Sequence, residues 1–157
     1  MNAPEIWILI PILMGGFSLL FLRERTLAWI GGTTSAILAL LALIIPIDEA
    51  LLIGPVSLKI ASSAFLFGRS LVLPPADAPL LTLIYGMCAL WFFGTEAAGA
   101  ARRLVPFGLV ITALLVAAIA VEPFLYAALL IEMAVLVAVP LLSPSNQKPG
   151  RGVIRFL

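Results

Sequence analysis

Five stretches of this chain are apolar over roughly the thickness of a bilayer, and short polar runs separate most of them. They are residues 5–22 (EIWILIPILMGGFSLLFL), 27–46, 78–97, 104–121 and 123–142. A helix needs about 20 predominantly apolar residues to cross ~30 Å of hydrocarbon. The pattern therefore predicts an all-α membrane protein: a bundle of about five transmembrane helices forming one integral membrane domain over residues 1–157. The first stretch does not read as a secretory signal, because no Lys or Arg precedes it and no clear small-residue cleavage site follows. In the second, Gly32 and Ala36, and Ser35 and Ala39, are four apart. Such pairs share a helix face and permit close helix contact. The Gly15-Gly16 and Gly31-Gly32 pairs lie within apolar spans and read as packing glycines, not nucleotide loops.

The connection between the second and third spans, residues 47–76, breaks the helical pattern. Short β-forming runs (Leu51 to Ile53, Val56 to Ile60, Ala64 to Phe67, Ser70 to Leu73) alternate with small residues and with Gly54-Pro55. This reads as a β-hairpin-like outer connection ended by Pro74-Pro75. A hairpin edge cannot be satisfied in hydrocarbon, so the segment is expected at the interface, against a partner or over the helix ends. Asp77 directly precedes the third span, at the position of a helix cap.

Charge fixes the expected orientation. If the five spans alternate, Arg23, Arg25, Arg102, Arg103, Lys148, Arg151 and Arg155 share one side, leaving only Lys59 and Arg69 on the other. The positive-inside rule then puts the N-terminus outside and the turn-rich tail, 143–157, in the cytoplasm. Removing a middle span would scatter this bias, which supports the count of five.

Composition agrees and narrows the chemistry. The chain is 63% hydrophobic and 11% charged, with a mean hydropathy of +1.22. Soluble domains are roughly 45–50% apolar and about 25% charged. A net charge of +1 argues against nucleic acid as a partner. With no histidine and a single cysteine, Cys88, the chain has no multi-cysteine metal spacing and no internal disulfide. Cys88 itself reads as a small packed residue. No phosphate loop, nucleophile elbow or metal motif is present, so the chain is not expected to be an enzyme by itself.

One residue stands against the apolar background. Between Pro123 and Leu142 the only charge is Glu132, near mid-depth of the fifth span. An ionised side chain at that depth costs at least ~2.5–3.5 kcal/mol, and intramembrane acids usually pair with a cation or carry a proton. A carboxylate buried between helices for packing alone is the competing reading. Glu5, Glu24, Asp48, Glu49, Glu96 and Glu122 fall at span ends or in connections and read as interfacial charge.

The order of these features resembles the first five membrane helices of the antiporter-like, proton-translocating subunits of respiratory complex I and related sodium/proton antiporters. The likeness rests on LVPFGLVITALLVAAIAV, the short Glu122-Pro123 turn, and FLYAALLIEMAVLVAVPLL with its central Glu132. Upstream, two helices, a hairpin-like segment, Asp77 and the helix LLTLIYGMCALWFFG follow the same plan, and the tail resembles the approach to a further helix. Two departures matter. Ile131 stands where the family usually has an aromatic residue, and the family's buried lysine on a later, broken helix would lie beyond Leu157. The resemblance thus implies about the first third of such a subunit, with Glu132 as a proton-handling or ion-pairing group whose cation comes from elsewhere. It implies an energy-converting membrane, such as a bacterial inner membrane, and other membrane subunits as partners. The alternative expectation is an accessory subunit of a respiratory or photosynthetic complex that holds or gates lipid, quinone or carotenoid without covalent attachment. Tyr85, Trp91, Phe92, Phe93, Phe124 and Tyr126 are the candidates for an aromatic groove in that case.

Overall fold

The computed structural model of the protein describes residues 2–20, 23–48, 50–53, 56–66 and 68–142, with backbone alone at 50–53, 56–58 and 66. The predicted tail with Lys148, Arg151 and Arg155, the Phe21-Leu22 end of the first predicted span, and the Gly54-Pro55 punctuation lie outside the described residues. A π-helical turn (Glu5–Leu9) leads into α1 (Ile10–Ser18), and α2 (Glu24–Ile44), α3 (Ala78–Ala97), α4 (Ala101–Ala120) and α5 (Ala127–Leu142) follow. Among the described residues, four helical stretches are long and apolar enough to cross a bilayer: Glu24–Ile44, Pro75–Ala97, Ala101–Ala120 and Phe124–Leu142. The first predicted span corresponds to a shorter apolar helix, Glu5–Ser18.

The interior is organised around α4, which packs on α1, α2, α3 and α5. Its buried positions Val105, Leu109, Ala113, Val116 and Ala120 recur every three or four residues, the stride that keeps one helix face inward. Small residues let the other helices approach it. A Cβ at Gly31 would sit 2.6 Å from Val105 Cγ1 on α4, while one at Gly32, at the contact of α2 with α3, would sit 2.5 Å from the Phe93 ring. Gly15 does the same for α1, since its Cβ would meet the Pro106 carbonyl oxygen at 2.9 Å. Gly16 is exposed and faces open space, so only one of that predicted pair is a packing glycine.

Helix ends follow from local chemistry. Gly99 adopts φ +61 after α3. The Ala100 N–H reaches the Thr95 carbonyl and the Gly99 N–H the Glu96 carbonyl, each at 3.1 Å. This left-handed stop satisfies carbonyls that the helix end would otherwise orphan. Helix α4 then starts at Ala101, three residues before the sequence pattern places it, because the Glu24 carboxylate accepts the Arg102 N–H at 2.8 Å. Asp77 does occupy the cap position of α3 but makes no side-chain capping bond. Its own backbone is helical, and the second residue of the helix, Pro79, has no N–H to offer.

The outer connection is stranded. β1 (Ala50–Ile53) pairs antiparallel with β2 (Val56–Lys59). β3 (Ser63–Leu66) pairs antiparallel with β4 (Arg69–Val72), and β4 pairs with β5 (Val121–Glu122), directly after α4. The three-stranded sheet therefore ties the connection to the elbow between α4 and α5. Across that tie the Arg69 guanidinium lies 3.8 Å from the Tyr126 ring centroid. Ile47, Ile60, Leu71 and Leu73 are buried in the same cluster as Trp7, Leu81 and Val116. The connection covers the helix ends of its own chain. Its base is fixed by Asp48, which takes φ +65. The Asp48 N–H reaches the Ile60 carbonyl at 2.8 Å, and its carboxylate accepts the Ser62 N–H at 3.2 Å. The bonds from Ser62 hold the Asp48 carboxyl below the usual carboxylate range.

Candidate functional site

Helix α5 inherits its orientation from a simple pattern. Ala127 and Ala134 are buried and Leu130 is half-buried against the core. These positions are spaced three and four apart, the stride of a single helix face. Glu132 is two residues from both Leu130 and Ala134, which at 3.6 residues per turn puts it on the opposite side of the helix. It is exposed there, among exposed Leu129, Met133, Val135 and Leu136. It has no hydrogen-bond or ion-pair partner among the described residues. The reading of a carboxylate buried between the helices of this chain therefore fails on helix register: the inward positions of α5 are taken by alanines and Leu130. In the stretch Phe124–Leu142 only Ala127 and Ala134 are buried, against 11 of the 20 residues of Ala101–Ala120. The acid sits close to the middle of the least covered of the four long helices.

The six aromatic residues do not line one groove. Tyr85 and Phe92 are buried in the bundle, while Trp91 and Phe124 are exposed. Phe93 stacks edge-on with Trp29 at 5.4 Å between ring centroids. Tyr126 is held at the outer sheet by Arg69. At helical spacing an apolar run faces all directions, so adjacent aromatics such as Trp91 and Phe92 diverge by about 100°.

Tyr85 instead closes a buried polar junction that sequence reasoning did not find. Its hydroxyl donates to the Trp7 carbonyl, and the Trp7 indole N–H donates to the Leu38 carbonyl at 3.1 Å. Both aromatic side chains are fully buried. In α-helical register the Trp7 carbonyl takes its hydrogen bond from residue 11, which is Pro11 and has no N–H. The chain makes its π-helical turn at this point, and the Tyr85 hydroxyl supplies a donor. The signal available in the sequence was Pro11 four residues after Trp7; the donor on α3 was not readable. Nearby on the α3–α4 interface, Cys88 Sγ lies 3.4 Å from Thr112 Oγ1, in the packed position expected for it.

At the other end of the bundle the basic residues gather. Arg23, Arg25, Arg102 and Arg103 are all exposed there. Arg25 Nε is 3.7 Å from Glu96 Oε1, and Glu24 is engaged by the Arg102 backbone. Between the last turns of α3 and the first turn of α4 runs an open groove of about 310 Å³ lined by Leu90, Trp91, Gly94, Thr95, Ala98 and Leu104. Among the described residues no cluster of three Cys, Asp or Glu could hold a metal ion.

No protein-family model, curated protein or solved structure matches this chain.

Proposed function

We propose that this chain is a non-catalytic membrane subunit of a larger energy-converting complex, built on the plan of the antiporter-like proton-translocating subunits, with Glu132 as its proton-handling or ion-pairing group. The observation that carries this reading is the position of Glu132: an acid at mid-span on the uncovered face of α5, opposite the face that packs on α4. An unpaired carboxylate facing hydrocarbon is disfavoured by several kcal/mol on insertion scales (roughly 2.5–3.5). A second membrane chain that covers this face and brings a cation or hydrogen-bond donor to mid-depth removes that cost. Such a cation also tunes proton affinity, because opposite charges within about 4–6 Å shift a pKa strongly.

We read the chain as five alternating spans, with Glu5–Ser18 as the first. Two features support this. The elbows at residues 23–25 and 98–103 meet at one end, joined by the Glu24 to Arg102 hydrogen bond. Residues 2–3, 60–66, 68–73 and 121–126 meet at the other, through the Asn2 to Ala61 bridge and the β4–β5 pairing. Arginines then collect at the end assigned to the cytoplasm, with the N-terminus and the outer strands opposite.

The test is gentle extraction of the native assembly, mass spectrometry of its subunits, and proton pumping by the complex carrying Glu132→Gln. Lysine-bearing antiporter-like chains and flavin or iron–sulfur subunits in the preparation, with pumping impaired by the substitution, are the expected result. Unchanged pumping removes the role of Glu132. Recovery with quinone or pigment proteins and without those chains makes the protein an accessory subunit instead.

A further inference from the structure

We infer that the stripe of α5 formed by Ala128, Glu132, Leu136 and Pro140 seats one transmembrane helix of a different chain, and that this helix brings two hydrogen-bond donors, one to the Glu132 carboxylate and one to the Leu136 carbonyl. The inference rests on the reading above, in which α5 spans the membrane and Glu132 faces another chain; it adds the chemistry and register of that partner. All four residues are exposed, and their four-residue spacing keeps them along one side of the helix. Pro140 lies inside α5. In α-helical register the Leu136 carbonyl takes its bond from residue 140, and proline has no N–H to give. The stripe therefore carries a second unmatched acceptor besides the acid.

Helix geometry sets the spacing of the two donors. Leu136 lies one turn, about 6 Å, beyond Glu132 along the axis. The Glu132 side chain leans back toward the start of the helix, whereas the Leu136 carbonyl points toward its end. The two acceptors are thus separated by roughly 10 Å, close to two turns of a facing helix. Ala128 keeps one end of the stripe low, which lets a partner backbone approach closely. The same chemistry argues against other occupants. A lipid tail has no donor for either acceptor, and water cannot serve them in hydrocarbon. A second copy packed symmetrically through this stripe sets acid against acid, and none of the five apolar stretches contains a Lys or Arg.

The experiment is photo-crosslinking in native membranes, with a benzophenone amino acid placed at Leu129 or Val135, which flank the stripe and are exposed, and at exposed Leu83 on α3 as the control. The expected product from both α5 positions is the same membrane-spanning segment of another chain, with donor side chains about two turns apart toward α5. Leu83 should not capture that segment. Replacing the captured donor that faces Leu136 by an apolar residue should lower retention of the partner about five-fold, the worth of one neutral hydrogen bond. In Pro140→Ala the carbonyl regains an N–H from its own helix, and the same replacement should lower retention by less than about two-fold. Crosslinks to lipid alone or to a second copy overturn the inference, as does a captured segment with no donor opposite Leu136, or an equal loss in the two backgrounds. Those results leave the proton-handling role of Glu132 standing. Unchanged pumping in Glu132→Gln removes that role and leaves the two-donor interface intact.

Discussion

Substituting Tyr85→Phe isolates one hydroxyl in the bundle interior. The ring stays, so packing around this fully buried residue changes little. What is lost is the donor to the Trp7 carbonyl. That carbonyl cannot fall back on its α-helical partner, because residue 11 is proline. Leaving a buried acceptor unsatisfied costs about 1–3 kcal/mol. A neutral hydrogen bond whose acceptor retains a second partner is worth about 1 kcal/mol or less, so a loss above that figure marks a carbonyl with no backbone donor, and a smaller loss one still served by the Ile12 N–H at π-helical spacing. The assay is unfolding of the purified protein in mixed micelles, followed by tryptophan fluorescence. The decisive arm is the same substitution in a Pro11→Ala background. Alanine restores an N–H four residues after Trp7, so the carbonyl has a donor from its own helix. The cost of Tyr85→Phe should then fall by at least half, a coupling of the kind a double-mutant cycle resolves. An identical cost in both backgrounds would refute the claim that Pro11 creates the need for Tyr85.

Other outcomes follow from the same structure. Gly31→Ala should destabilise the bundle by about 1–3 kcal/mol through overpacking against Val105 and Phe92, whereas Gly16→Ala, facing open space, should be neutral or stabilising by up to ~1 kcal/mol; thermal unfolding of the two variants side by side checks both. Asp48 has a carboxyl held below its ordinary value by Ser62, so its contribution is present above pH ~4 and lost as the pH falls through the lowered value. Protection of the Ser62 amide from hydrogen exchange, corrected for intrinsic rate, should therefore fall in acid in the wild type and lose this pH dependence in Asp48→Asn. Arg69→Gln should loosen the outer sheet by about 0.5–1 kcal/mol through loss of the contact with Tyr126, read as faster exchange of the β4–β5 amides with the helices unaffected.

The helical plan was legible because membrane helices declare themselves locally. Every backbone group of a spanning segment is satisfied within the segment, so length and hydropathy suffice to find it. The third span, 78–97, coincides with α3 as drawn from the pattern, and of the four-apart pairs Ser35 and Ala39 are both buried, while Gly32 is buried and Ala36 only half-buried. The start of α4 moved through a contact between distant residues: it begins at Ala101, where a carboxylate from α2 meets its first turn.

What the sequence by itself determined is therefore the class of molecule, its helices, and the presence of one acid in an apolar span. Those properties are sums over neighbouring residues. The tertiary structure decided which way each helix turns, and that depends on which face finds a partner. It set Glu132 outward, because Ala127, Leu130 and Ala134 are what α4 accepts. It separated the aromatic residues that lie close in sequence and brought Tyr85 to Trp7 across two helices. It also joined Arg69 to Tyr126, 57 positions apart, over the end of the bundle. Hydropathy assigns a residue to the membrane without saying what it faces there; only the packing of α4 against its four neighbours fixes that.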